Sequence, residues 1–203
     1  MSSCRTAGCV EPNQRSVAGE QPVNAALLEE AIRIRMLPIR LMIFDVDGVL
    51  TGGQIIIHDD GTETKIFDVQ DGHGVKLLQR AGIDVALITG RTCRAVEHRA
   101  VGLGIARVYQ GIHRKLEAYD QIRKETGLED REIGYMGDDL IDIPVMRRVG
   151  LAVAVPNASY HVLPYAHYVT RASGGNGACR EVCELLLQVQ GRWEALAARY
   201  FET

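Results

Sequence analysis

Two aspartates, Asp45 and Asp47, end the apolar run of "LMIFDVDGVLTGG" two positions apart, with Gly48 directly after them. In an extended segment, side chains at i and i+2 face the same way, so both carboxylates can address one ligand. Asp-Gly is also an ordinary turn signal, so the pair carries chemistry only if partners follow. Three further segments supply them: "ALITGR" gives Thr89, Gly90 and Arg91, Lys115 opens an amphipathic stretch, and "IGYMGDDLIDIP" gives Asp138, Asp139 and Asp142. An aspartate is ionised at neutral pH and attacks phosphorus without a separate base, while a second carboxylate beside it carries a proton. Clustered carboxylates repel one another and a phosphate alike, which calls for a hard cation. Mg²⁺ takes a few carboxylates together with waters and phosphate oxygens. Asp45 and Asp138 are the candidate side-chain ligands. Thr89 and the Gly90 amide are placed to hold phosphate oxygens, and Lys115 to offset charge on nucleophile and phosphoryl group. The expected chemistry is phosphoryl transfer.

Positioning such a set requires strand ends on one edge. From Ile39 onward, apolar runs ("IRLMIF", "IDVALIT", "ARVYQ", "EIGYMG", "LAVAV") alternate with amphipathic segments ("GVKLLQRAG", "RAVEHRAVGLG", "HRKLEAYDQIRKETG", "IDIPVMRRVG") and a final helix from about Ala178. This alternation predicts βαβ units, an α/β fold with a parallel sheet covered on both faces. Ligands of open α/β sheets bind beyond the carboxyl ends of the strands, where the candidate residues fall. The expected organisation is an N-terminal extension over 1–38, disordered and then a short helix ending at Pro38, a domain over 39–190, and a tail over 191–203. One insert, about 53–69, breaks the rhythm: "GQIIIHDDGTETKIFDV" reads as a β-hairpin turning at Asp60-Gly61. Ile55, Ile56, Ile57, Ile66 and Phe67 are too many apolar residues for a lone exposed hairpin, so a partner surface should cover them.

A net charge of −3 gives no electrostatic reason to expect nucleic acid or an anionic membrane as partner. No apolar stretch is long enough for a membrane helix, and the N-terminal residues lack the apolar core of a secretory signal, so the expected location is cytoplasmic. Cys4, Cys9, Cys93, Cys179 and Cys183 lack zinc-finger spacing and read as free thiols. The six histidines show no ligand spacing; His73 alone is a weak candidate for substrate contact. "GGNG" before the last helix offers a freely moving backbone and a helix N-terminus favourable to anions, with Arg180 in the first turn.

In order and spacing, "DVDGVL", "ITGR", Lys115 and "GDDLID" resemble the four motifs of the haloacid dehalogenase (HAD) superfamily of phosphatases. Within it, "FDVQDGHGVKLL", "VGLAVAVPNA" and "YVTRASGGNGACREVCELLL" are similar to the 3-deoxy-D-manno-octulosonate 8-phosphate (KDO 8-phosphate) phosphatase family. The resemblance implies a Rossmannoid HAD-type sheet, capless apart from the hairpin. It implies hydrolysis of a sugar acid phosphate in lipopolysaccharide precursor synthesis; a nonulosonate 9-phosphate is the alternative substrate, and a catalytically silent binding module a third reading. Asp45 would form the aspartyl-phosphate, and Asp47 would protonate the leaving oxygen and later activate water. Asp45, the Asp47 carbonyl and Asp138 would hold Mg²⁺, Thr89 and Lys115 would bind the phosphoryl group, and Asp139 and Asp142 would orient the site. Gly72, Gly90, Arg91 and Arg180 would lie near the substrate. The resemblance also implies a homotetramer whose hairpins assemble together and whose tail packs towards a neighbouring active site. Gln70 departs from the pattern, standing where relatives carry a basic residue before "DGxG".

Overall fold

The computed structural model describes residues 24–201. The order of elements is α1 (Glu30–Met36), β1 (Leu41–Phe44), β2 (Ile56–Ile57), β3 (Glu63–Thr64), α2 (Val69–Arg80), β4 (Asp84–Ile88), α3 (Arg94–Leu103), β5 (Arg107–Tyr109), α4 (Lys115–Thr126), β6 (Ile133–Gly137), α5 (Ile143–Met146), β7 (Leu151–Ala154), β8 (Tyr168–Val169), α6 (Ala178–Val189) and α7 (Trp193–Ala198). The main sheet has the order β5-β4-β1-β6-β7-β8, and all of its strand pairs are parallel. The expected five strands are all present. The sixth, β8, is two residues long and pairs with the far side of β7.

All four residues of β1 are buried, as a central parallel strand requires. Met42 and Phe44 point into one layer with Val75, Leu78 and the apolar face of α6; Leu41 and Ile43 point into the other with Tyr119 and Ile122 of α4 and Met146 of α5. Chain connections run from β1 outward through β4 to β5, then cross back to β6 and outward again. The strand order therefore reverses between β1 and β6, and a crevice opens there at the carboxyl ends.

Helix α2 begins at Val69, several residues before the expected "GVKLLQRAG". Asp68 caps it, accepting from the Gln70 and Asp71 amides at 2.6 and 3.0 Å, and the helix continues through Gly72 and Gly74. Those glycines are poor helix formers, but a Cβ on Gly72 would meet Arg99 and one on Gly74 would meet the Arg180 backbone. Close packing of α2 against α3 and α6 overrides propensity. Helix α1 also belongs to the body, with Met36 in the same core layer as α6.

The hairpin forms as β2 against β3, pairing Ile56 with Thr64 and Ile57 with Glu63. Ile55, Ile56, Ile57 and Ile66 are exposed on the single chain. Phe67 differs from expectation: it packs on its own core, with the Arg99 guanidinium 5.7 Å from the ring centre. At the end of the hairpin the chain turns inward to start α2, which takes Phe67 off the outer surface. Among the described residues, Cys93, Cys179 and Cys183 are free thiols; Cys4 and Cys9 lie outside them.

Candidate active site

Each strand end around the crevice delivers the residue expected of it. Asp45 follows β1, and its amide donates to the Met136 carbonyl of β6 at 2.9 Å. Thr89 follows β4 and is buried, with its amide tied to Tyr109 of β5 at 2.9 Å. Lys115 is the first residue of α4 and runs inward, fully buried. Its ammonium lies 2.8 Å from Asp45 Oδ1 and 2.6 Å from Asp142 Oδ1. Burial opposes the charge of Lys115, yet the two carboxylates outweigh it and raise its pKa above the ordinary lysine value.

One oxygen each of Asp45, Asp138 and Asp142 lies within 4.8 Å of the others. Asp142 is already saturated: Oδ1 accepts from Lys115 and from the Tyr135 hydroxyl, both at 2.6 Å, and Oδ2 accepts from the Asp138 and Asp139 amides at 2.9 and 3.0 Å. It is a brace. Asp139 caps the short 3₁₀ turn Leu140–Asp142. The carboxylates of Asp45 and Asp138 remain, and Asp138 Oδ1 is buried with no hydrogen-bond partner. Burial, reinforced by neighbouring carboxylates, pushes Asp45 up to about 6 and Asp138 up to about 8. Two buried carboxylates that resist ionising together fit a divalent cation, which removes the repulsion that raises them. Gly48 is part of this fit: a Cβ there would stand 2.0 Å from Asp138 Oδ2, and its φ of +93° also favours glycine.

The side chain of Asp47 turns to a different partner. Lys65, from the end of the hairpin, forms an ion pair with it and lies 3.0 Å from Glu63, whose other oxygen takes the Arg91 guanidinium at 2.7 Å. The ammonium is buried, with 1% of the Lys65 side chain exposed. Sequence reasoning did not single out Glu63 or Lys65. Their i, i+2 spacing in "ETK" was a signal, since it sends two opposite charges to one face of a strand whose other face carries Thr64 and Ile66.

A family description, "haloacid dehalogenase-like hydrolase", matches residues 100–181. The 3-deoxy-D-manno-octulosonate 8-phosphate phosphatase of Yersinia pestis is 49% identical over 160 residues, which is 79% of this chain and 86% of the relative. That of Escherichia coli K12 is 46% identical over 171 residues, 84% and 88% of the two chains. The chain belongs to this family of HAD phosphatases. A crystal structure of the Moraxella catarrhalis phosphatase, in complex with magnesium ion, phosphate ion and KDO, superposes with a TM-score of 0.82 at 43% identity, covering 83% of this chain and 97% of that one. The α/β HAD-type fold is therefore shown by sequence and by structure.

The remaining candidates are placed less directly. Gly90 lies at the mouth, 3.6 Å from Ile141 measured from an added Cβ. Gly72 is a helix-packing position against Arg99 and Leu103. Arg180 bonds to Glu184 at 2.5 Å and to His73 at 3.0 Å, and the N-terminus of α6 is occupied by Asp71, whose carboxylate accepts from the Arg180 amide at 2.8 Å. The helix end expected to attract an external anion thus holds an internal one.

The "GGNG" stretch is held, not free. A Cβ on Gly174 would stand 1.7 Å from the Gly48 carbonyl oxygen, and the Gly175 amide donates to the Val49 carbonyl at 2.8 Å. Asn157 joins the two loops, accepting from the Gly174 amide at 2.8 Å and donating to the Gly48 carbonyl at 3.2 Å. Buried Glu181 pins the approach, accepting from the Tyr168 hydroxyl and the Arg171 and Ala172 amides. These glycines permit contact between backbones, and the loop they contact is the one of their own chain that follows Asp47.

Proposed function

We propose that this chain hydrolyses KDO 8-phosphate to KDO and inorganic phosphate, as a Mg²⁺-dependent phosphatase of lipopolysaccharide precursor synthesis. The observation that carries the reading is the convergence of Asp45, Thr89, Lys115 and Asp138 on one crevice, in a chain nearly half identical to phosphatases of that substrate. Asp45 and Asp138, with the Asp47 carbonyl, would hold Mg²⁺, which when bound screens the clustered negative charge and draws electrons from the phosphoryl oxygens.

In the first half-reaction an oxygen of Asp45 forms a bond to phosphorus, the bond from phosphorus to the sugar oxygen breaks, and Asp47 gives that oxygen its proton. In the second, a water oxygen attacks phosphorus while its proton passes to Asp47; the bond to Asp45 breaks, releasing phosphate and restoring the carboxylate. Lys115 holds Asp45 in place against Asp142 and faces the phosphoryl charge, and Thr89 and the Gly90 amide receive phosphoryl oxygens. Gly72, Arg91 and Arg180 remain proposed substrate neighbours, Gly72 and Arg180 with their side of the molecule turned to helix packing in the single chain. The assembly is proposed to be a homotetramer closed over the exposed isoleucines, located in the cytoplasm; among the described residues no helix is long and apolar enough to cross a membrane.

Phosphate release from a panel of sugar acid phosphates tests the substrate, with KDO 8-phosphate expected to lead. Gln70 makes a nonulosonate 9-phosphate the informative competitor; its preference by the enzyme would reassign the sugar. Asp45→Asn should abolish turnover with the fold retained, and beryllium fluoride should trap an acyl-phosphate mimic on Asp45; trapping on Asp47 or Asp138 would overturn the mechanism. Chelator should remove activity and Mg²⁺ restore it.

A further inference from the structure

We propose that Lys65 is a positioning residue for the proton-transferring carboxylate of Asp47, delivered to the site by the hairpin. The inference rests on the reading of Asp47 given above. An ammonium is seldom buried, and Lys65, with 1% of its side chain exposed, is buried against two carboxylates, Asp47 and Glu63. Glu63 also binds Arg91 at 2.7 Å, giving a chain of alternating charge, Asp47–Lys65–Glu63–Arg91. It crosses from the loop after β1 through the hairpin to the loop after β4; β1 and β4 are neighbours in the main sheet, whereas the hairpin strands pair only with each other.

The consequence follows from what the rest of Asp47 lacks. Its other carboxylate oxygen, Oδ2, is buried without a hydrogen-bond partner, so the ion pair with Lys65 is what fixes the direction of the carboxylate. A proton-transferring group must sit within hydrogen-bond reach of both the leaving oxygen and the attacking water. Lys65 leaves Oδ2 unengaged while anchoring Oδ1, so one oxygen is held and the other is available for the proton. Lys115 cannot substitute, because both of its short contacts are to Asp45 and Asp142. The two lysines divide the work: one holds the nucleophile's carboxylate, the other its neighbour's.

The test is Lys65→Met, assayed on KDO 8-phosphate and on 4-nitrophenyl phosphate, whose leaving group departs with little protonation. On the sugar phosphate, kcat should fall at least about 30-fold with KM changed less than about threefold, a part of the roughly 10²–10⁴ that proton transfer contributes. On the aryl phosphate, phosphorylation of Asp45 should persist while its hydrolysis slows, giving a burst of nitrophenolate approaching one per subunit and larger than the wild-type burst. Lys65→Arg, which restores a cation, should recover part of the loss. A folded Lys65→Met enzyme with wild-type turnover, or one that loses turnover without the larger burst, overturns the proposal. Lys65→Gln serves if the methionine variant does not fold; if neither folds, the lysine is structural and the proposal falls. Asp47→Asn separates the two levels: should it retain turnover, the reading of Asp47 fails, whereas a dead Asp47→Asn beside an active Lys65→Met refutes the role of Lys65 alone.

Discussion

At the residue scale, the site depends on a carboxylate that is proposed to touch neither metal nor phosphate. Asp142 is fully buried, and its two oxygens take four hydrogen bonds, from Lys115, Tyr135 and two backbone amides. Its removal leaves a buried ammonium with one partner instead of two and two amides with none. Breaking a buried pair from one side costs about 3–5 kcal/mol, so Asp142→Ala should lower the melting temperature by roughly 10 °C and reduce turnover as Lys115 is released. Thermal unfolding and phosphate release check both parts; an unchanged melting temperature would mean that the brace carries little stability.

Among the elements, contact between loops and helix ends sets what each segment can do. Gly174 has ordinary backbone angles but no room for a Cβ beside the Gly48 carbonyl, whereas Gly61 at the hairpin turn has room but a φ of +79°. The two glycines are thus required for different reasons. Gly174→Ala should push the tail loop off the segment after Asp47 and lower kcat at least about tenfold, since displacements near 1 Å are costly to positioned groups. Gly61→Ala should cost about 1 kcal/mol of stability and leave kcat unchanged, because only local strain is added. Equal kcat in the two variants would show that the tail loop does not position the site.

Helix α6 offers a pH test at the same scale. Burial pushes Asp71, at its N-terminus, from 3.8 up to about 6. The folded state holds this proton more tightly than the unfolded chain, so the contribution to stability is complete below about pH 4 and is lost as pH rises through about 6. Relative to Asp71→Asn, which does not titrate, the wild type should lose up to about 3 kcal/mol across that window and no more above it. Urea unfolding of both proteins at a series of pH values checks the sign; parallel curves would show that the carboxylate is as stable charged as neutral.

For the whole molecule, the open question is cover. Ile66, on the face of the hairpin opposite Glu63 and Lys65, is 68% exposed, and Ile57, paired across from Glu63, is 69% exposed, so neither isoleucine is covered by its own chain. A second copy of the chain is the proposed cover. Light scattering of Ile57→Asn and Ile66→Asn should show smaller species than the wild type, with activity falling alongside. A wild-type monomer of full activity would leave these isoleucines without an account.

The architecture, and the residues on which the proposed chemistry rests, were already present in the sequence. Asp45, Thr89, Lys115 and Asp138 were legible because each follows an apolar run in an alternating α/β pattern, and parallel topology obliges such residues to meet at one edge. The start of α2 was less legible, because two glycines obscured a helix that packing required. The partners of individual side chains were decided only by the tertiary structure. Lys65 and Asp47 are separated by a hairpin, and no local rule states which way that hairpin folds back. Phe67 looked like its neighbour Ile66, yet a turn in the chain tucked Phe67 partly into the core and left Ile66 exposed. "GGNG" read as freedom because glycine permits motion in an isolated chain; in the fold the same missing side chain permits two backbones to touch, and contact across more than a hundred residues of sequence is a property only the folded chain has.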